Sequence, residues 1–326
     1  MLNQELLTAV ESYTANLTRD ITFVVQTGEH EQRDELLEFL NAFASVSGRL
    51  HVEERDIGQP LRGGMSFLLE ADGESTGIVF SGIPGGHEFS SLMLAVLNNA
   101  GTPVKLDDSL KAIVERVGET LRFETVVSLS CHNCPDVVQT LNQFASINGN
   151  ISAEMIDGGV YTEVAESRNV QGVPAVFLNG EPFANGKIDT ATLIEKLLAR
   201  YPELAKTGAQ SAATLPLQDV AVIGGGPAGV SAAIYAARKG FSVTLIAERF
   251  GGQVKDTMGL ENLVSVPSTT GPEVVTGLGT HLKDYDITLK EHLRVDAIES
   301  GDIKTLTLSS GEVIRARSLI VATGAQ

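Results

Sequence analysis

The segment Asn41-Ala-Phe-Ala-Ser-Val-Ser-Gly48 recurs 101 positions later as Asn142-Gln-Phe-Ala-Ser-Ile-Asn-Gly149. The residues leading into each copy share an apolar face: Leu36, Leu37, Leu40, Phe43 and Ala44 correspond to Val137, Val138, Leu141, Phe144 and Ala145. That spacing is one stripe of an α-helix. A β-rich run precedes each helix (Ile21 to Val25; Phe123 to Leu129) and another follows it (Leu50 to Val52; Ile151 to Ala153). Two more strand candidates come next, Ser66 to Glu70 and Gly77 to Phe80 in the first copy, Ala175 to Asn179 and Pro182 to Ala184 in the second. A closing helix restores the offset, with Leu92, Met93, Val96 and Leu97 against Leu193, Ile194, Leu197 and Leu198. Each copy therefore reads helix, strand–helix–strand, two strands, helix. The pattern is an α/β unit used twice, over 1–103 and 104–201.

From Pro202 to Gln218 the composition shifts to Ala, Thr, Ser and Gly with little apolar periodicity, which reads as a linker over 202–218. A frayed helix end is the alternative. Asp219 to Ile223 is then a short apolar strand running into Gly224-Gly-Gly-Pro-Ala-Gly229. A helix follows over Val230 to Lys239, stopped by Gly240, and a second strand, Phe241 to Ala247, is closed by Glu248. Strand, glycine turn, helix, strand and terminal acid together are the context a dinucleotide fingerprint requires. Gly224, Gly225, Gly226 and Gly229, with Pro227 and Ala228 between them, permit a tight turn and close approach of the backbone to a pyrophosphate. Glu248 is placed to accept hydrogen bonds from ribose hydroxyls, and its charge disfavours a 2′-phosphate. Further elements are expected at Lys304 to Leu308 and Val313 to Thr323, within a nucleotide-binding region over 219–326.

The chain's only two cysteines, Cys131 and Cys134, stand three positions apart in Cys131-His-Asn-Cys134, after a strand and at the start of the second copy's helix. Backbone N–H groups and the positive end of a helix stabilise a thiolate at the first cysteine. The second, a turn further in, is placed to resolve a mixed disulfide. His132, if protonated, would further favour the thiolate, and Pro135 suits a first helical turn. A zinc half-site is the competing reading, but no second cysteine pair or closely spaced histidine pair completes it, so no metal is expected. Two idle buried thiols would have apolar neighbours, whereas these neighbours are polar. The first copy has His30, Glu31, Gln32 and Arg33 at the matching positions, and no sulfur. His87 and Glu88, in Pro84-Gly-Gly-His-Glu-Phe89, are placed either to face the dithiol and handle its proton or simply to form a polar loop before a helix.

Gly172-Val-Pro-Ala-Val-Phe177, about 40 residues past the dithiol and just before a strand, resembles the thioredoxin superfamily. That likeness implies that Pro174 is cis and faces the dithiol, and that Val173 offers backbone groups to a partner peptide. In the first copy the proline position is Met65. Glu248-Arg-Phe-Gly-Gly-Gln253 and Glu261-Asn262 look like flavin-contacting segments of thioredoxin reductase-type flavoproteins, and the end at Ala322-Thr-Gly-Ala325 resembles their second FAD motif. The chain as a whole is similar to the flavoprotein (F) subunit of alkyl hydroperoxide reductase. The resemblance implies two tandem thioredoxin-like folds followed by a partial Rossmann-like FAD-binding domain. FAD would be bound by the glycine turn with Glu248, Gly252, Gln253, Asn262, Thr323 and Gly324. It also implies an NADH-dependent disulfide reductase, a homodimer at full length, whose electrons reach a peroxiredoxin through Cys131 and Cys134, in support of peroxide removal. The family's nicotinamide domain and second cysteine pair are expected to lie outside this chain. Weak FAD binding is expected as a result, with no reduction of the dithiol by NADH in this chain alone.

The formal charge of −17 makes nucleic acid and anionic lipid poor partners, and no apolar run reaches the ~18–20 residues needed to cross a bilayer. The first twenty residues are too polar for a signal peptide. A lone paired dithiol fits a reducing compartment, the cytoplasm. Two other readings remain: a general thiol–disulfide oxidoreductase acting on other proteins, and a non-catalytic nucleotide-binding interaction module.

Overall fold

The computed structural model describes residues 2–58, 61–186, 188–204 and 215–324. Most of the expected linker lies outside the described residues. The chain divides into two compact units, Met1–Lys105 with Val114–Thr190, and Leu106–Ile113 with Ala191–Gln326.

The first copy runs α1 (Gln4–Thr14), β1 (Ile21–Gln26), α2 (Arg33–Ala44), β2 (Leu50–Arg55), β3 (Ser66–Ala71), β4 (Glu74–Ser81) and α3 (Phe89–Asn99). The second runs α4 (Asp108–Glu115), β5 (Leu121–Val127), α5 (Cys134–Ile147), β6 (Ile151–Asp157), α6 (Thr162–Ser167), β7 (Ala175–Leu178), β8 (Glu181–Asn185) and α7 (Thr190–Arg200). The expected order is borne out, with α6 added in the second copy. One eight-stranded sheet contains both, ordered β2-β1-β3-β4-β6-β5-β7-β8. The order 2-1-3-4 is thus followed by its equivalent, 6-5-7-8. The seam is the parallel pair β4–β6, with Phe80 opposite Met155.

Burial follows the repeated stripe. Val137, Val138, Leu141, Phe144 and Ala145 of α5 are all buried, as are Leu36, Leu40, Phe43 and Ala44 of α2. Leu37 is the exception: it is half-buried and Phe39 is inside instead. The copies differ because α5 is packed beside α3 near the seam whereas α2 sits over the sheet's outer strands. Phe23 meets Phe43 edge-on at 5.6 Å, and Phe67 stacks on Phe80 at 5.3 Å. Each such ring contributes about 2–3 kcal/mol through burial alone.

Glu124 and Glu154 stand directly opposite each other on β5 and β6, both buried. Two like charges so placed are tolerable only if cations are held against them. Arg62 reaches Glu154 at 2.7 Å and also pairs with Glu124, Arg122 reaches Glu154 at 3.1 Å, and Arg168 reaches Glu124 at 2.9 Å. Ser81 donates to Glu154 at 2.6 Å. Burial penalises the charge on Arg62, but Glu154 and Glu124 outweigh that and raise its pKa.

In the second unit β9 (Gln218–Ile223), α8 (Pro227–Arg238) and β10 (Val243–Ala247) are followed by α9 (Gly271–Leu282), β11 (Ile287–Glu291), β12 (Val295–Glu299), β13 (Lys304–Leu308) and β14 (Val313–Val321). The sheet order is β11-β10-β9-β14-β13-β12. β9, β10, β11 and β14 are mutually parallel along their pairings, and β12 and β13 complete an antiparallel edge. Val222, Val230, Ala233, Val243 and Leu245 form the core beneath α8. That helix begins three residues earlier than the sequence pattern indicates, because Pro227 is accommodated in the first turn, after Gly226 as N-cap.

Candidate functional site

Cys131 and Cys134 form a disulfide, their Cα atoms 5.5 Å apart. The helix α5 begins at Cys134, with Asn133 as its N-cap and Pro135 behind it. Cys134 is fully buried and Cys131 half-buried, so only the first sulfur is open to a partner. Val173–Pro174 is a cis peptide bond, and the Val173 carbonyl oxygen lies 3.8 Å from Cys131 Sγ. The loop before β7 therefore stands against the dithiol as the Gly172–Phe177 motif implies.

The cysteine-less copy also reaches this site. Because β4 lies against β6, the turn leaving β4 arrives beside the start of α5. Gly86 there has φ +53°, and a Cβ on it would lie 2.6 Å from the Leu129 carbonyl oxygen, so only glycine lets the turn come this close. His87 N–H donates to that same oxygen at 3.2 Å. The His87 ring packs against that of His132, with centroids 4.1 Å apart and planes tilted by 53°. Glu88 turns inward and is fully buried. Its Oε2 accepts a hydrogen bond from Ser91 at 2.6 Å, while Oε1 has no partner among the described residues. Burial pushes the Glu88 carboxyl up to about 7, and the Asp136 charge in the first turn of α5 adds to this against the Ser91 hydrogen bond. Of the two sequence readings of this loop, the structure brings it to the dithiol.

At the matching place in the first copy, Arg33 occupies the Cys134 position at the start of α2. Its Nη1 donates to the carbonyls of Gln26 at 2.7 Å and Gly64 at 2.6 Å, and its Nη2 meets Glu54 at 2.6 Å. Gly64 precedes Met65 as Val173 precedes Pro174, so Arg33 ties up the carbonyl that faces the sulfur in the live copy. Replacing Arg33 by Ala strands both carbonyls and is expected to cost about 2–3 kcal/mol in urea unfolding while leaving Cys131 alkylation unchanged.

In the second unit the ends of β9, β10 and β14 converge on the glycine turn. Gly224 N–H donates to Ile246 O, and Ala322 N–H to Ile223 O, both at 2.8 Å. A Cβ on Gly224 would strike the Ala322 carbonyl, one on Gly229 the Gly224 carbonyl, and one on Gly225 would lie 2.6 Å from Ala247 Cβ. Around Gly226, by contrast, nothing among the described residues approaches a Cβ within 4 Å, which leaves room at the N-terminus of α8. Gly252 has φ +57°, and a Cβ on it would lie 3.3 Å from Gly226 Cα; Thr323 follows Ala322 beside Gly224. Pro227 and Ala228 form the first turn of α8, Glu248 directly follows β10, Gln253 lies in the short turn Gly252–Asp256, and Gly324 follows Thr323. Asn262 is exposed in a loop closed by the Leu260–Thr269 and Leu263–Val266 bridges and takes no part in these contacts. The turn with its open helix end fits a dinucleotide's pyrophosphate. One residue missed in the sequence is His292. It follows Glu291, the partner of Ala247 across β10–β11, and its Nδ1 is buried without a partner among the described residues.

Residues 218–326 match the family profile described as pyridine nucleotide-disulphide oxidoreductase, and 123–199 that described as thioredoxin domain. The whole chain is 41% identical to a Staphylococcus aureus protein named as the F subunit of alkyl hydroperoxide reductase, and 40% identical to a Bacillus subtilis protein named NADH dehydrogenase. It spans 62% of the length of each. The crystallised NTD_N/C domain of alkylhydroperoxide reductase AhpF from Enterococcus faecalis superposes with a TM-score of 0.57 at 32% identity, covering 60% of this chain and 100% of that one. The chain belongs to the family of alkyl hydroperoxide reductase flavoprotein (F) subunits. The solved relative matches on the scale of the duplicated half, and the α/β architecture expected for the family, thioredoxin-like folds and a Rossmann-like part, is borne out. Among the described residues no helix is long and apolar enough to cross a membrane.

Proposed function

We propose that Cys131 and Cys134 are the exchanging pair of a disulfide reductase whose acceptor is a peroxiredoxin. The observation that carries this is the asymmetry of the pair: Cys131 open beside the Val173 carbonyl, Cys134 sealed at the start of α5. In the reduced chain the Cys131 thiolate attacks one sulfur of the partner's disulfide, forming a mixed disulfide and releasing a partner thiolate. Cys134, as thiolate, then attacks Cys131 Sγ, frees the second partner sulfur and closes the Cys131–Cys134 disulfide. Two electrons leave the chain. Glu88 accepts the proton that Cys134 gives up, an assignment supported by its burial, its unpartnered Oε1 and its carboxyl near neutrality.

The glycine turn, Glu248, Gly252, Gln253, Thr323 and Gly324 would hold FAD, with His292 as a further polar contact. FAD supplies two-electron redox chemistry when bound, and NADH is the proposed donor of the whole protein. The residues of this chain hold the pyrophosphate at the α8 N-terminus and present Glu248 to ribose hydroxyls. Gly229→Val, which drives a side chain into the Gly224 carbonyl, is expected to weaken flavin binding more than tenfold by fluorescence titration, with Cys131 alkylation unchanged.

The acceptor is tested by mixing the pre-reduced chain with an oxidised peroxiredoxin or with insulin. Peroxiredoxin is expected to be reduced at least a hundredfold faster; equal rates would identify a general oxidoreductase instead.

Glu88 gives a second, pH-based expectation. Its carboxyl is raised in the fold, so the stability it confers is full below its unfolded pKa and is lost as pH rises through about 7. The loss is about 3 kcal/mol. Glu88→Gln should abolish that slope in denaturant titrations between pH 4.5 and 8. It should also slow resolution by Cys134 about a hundredfold or more, the usual scale of general-base catalysis.

A further inference from the structure

We infer that His87, supplied by the copy without cysteines, is a positioning residue for the dithiol: it holds the His132 ring in place and thereby sets the balance between disulfide and dithiol. The inference rests on the dithiol reading above. His132 follows Cys131 on an exposed turn and would, alone, sample several rotamers. The His87 ring meets it at 4.1 Å. What makes His87 a platform is its backbone, tied on both sides of the cysteines. Its N–H is bound to Leu129 O, just before Cys131. Its carbonyl accepts from Ser90 Oγ at 3.1 Å, and Ser90 Oγ in turn accepts from Gln139 Nε2 of α5 at 3.0 Å. Gly86 permits this approach and no larger residue would. An imidazole on the residue after Cys131, once fixed in one rotamer, is within reach to offer its N–H to a thiolate formed there, and whatever stabilises the thiolate favours the reduced pair. The copy that lost its sulfur thus retains a part in the chemistry.

The test is the equilibrium with dithiothreitol. The Cys131–Cys134 disulfide accepts two electrons and two protons from the reagent's two thiols, giving two cysteine thiols and the cyclic disulfide of the reagent. His87→Ala is expected to shift this equilibrium about threefold to tenfold toward the protein disulfide, a tenfold shift being ~30 mV. His87→Phe, which restores a packing ring, should recover most of the shift. In a His132→Ala background, His87→Ala should add nothing. An unchanged equilibrium in His87→Ala, or an equal shift without His132, overturns the inference. A wild-type chain whose disulfide dithiothreitol does not reduce would instead overturn the dithiol reading itself.

Discussion

Cys131→Ser is expected to remove disulfide reduction almost completely, by on the order of a thousandfold or more, the scale on which loss of a covalent nucleophile acts. Cys134 does not replace it, because Cys134 is fully buried at the start of α5 while Cys131 alone is open beside Val173. Cys134→Ser has a different signature. Attack by Cys131 still occurs but nothing resolves the adduct, so one partner chain accumulates per chain as a mixed disulfide, visible by non-reducing electrophoresis or intact mass. If Cys131→Ser trapped the partner and Cys134→Ser did not, the two roles would be reversed.

The second large effect is on stability. Arg62→Met leaves Glu124 and Glu154 facing each other with their closest cation gone, because Arg62 meets both at shorter range than Arg122, which also pairs with both. Removing one partner of a buried ionic group costs about 3–5 kcal/mol, well above the cost of a surface substitution. The urea midpoint should fall accordingly, with Cys131 reactivity intact in the folded protein. Adding Glu154→Gln should restore more than half of the loss by removing one of the opposed charges. An Arg62→Met protein as stable as wild type would mean that Arg122 and Arg168 suffice.

The duplication was legible because an eight-residue match and two apolar stripes survive in it, and those stripes are buried as read, apart from Leu37, Leu97 and Leu198, which are half-buried. The seam was not legible: nothing local in β4 or β6 states that they pair, since register across a sheet depends on neighbours distant in sequence. What the seam creates was therefore readable only as one of two alternatives for the loop before α3; the His87–His132 contact and the burial of Glu88 follow from the pairing itself. Glu124 and Glu154 carried a readable signal, each a lone carboxylate inside an apolar run, but their arginines come from three separate segments. The helix α9 was missed although its capping box is written in Thr270-Gly-Pro-Glu273, where both reciprocal bonds form. The glycine turn was readable because its chemistry is local: Gly224 and Gly229 are required by carbonyls within the same turn or at the adjoining strand end.

The most direct test is a single-turnover transfer from the pre-reduced chain, freed of all other reductant, to an excess of oxidised peroxiredoxin. One peroxiredoxin disulfide should be reduced per chain, in step with formation of the Cys131–Cys134 disulfide, with no transfer from Cys131→Ser. A peroxiredoxin that stays oxidised while the chain keeps its two thiols would contradict the relay.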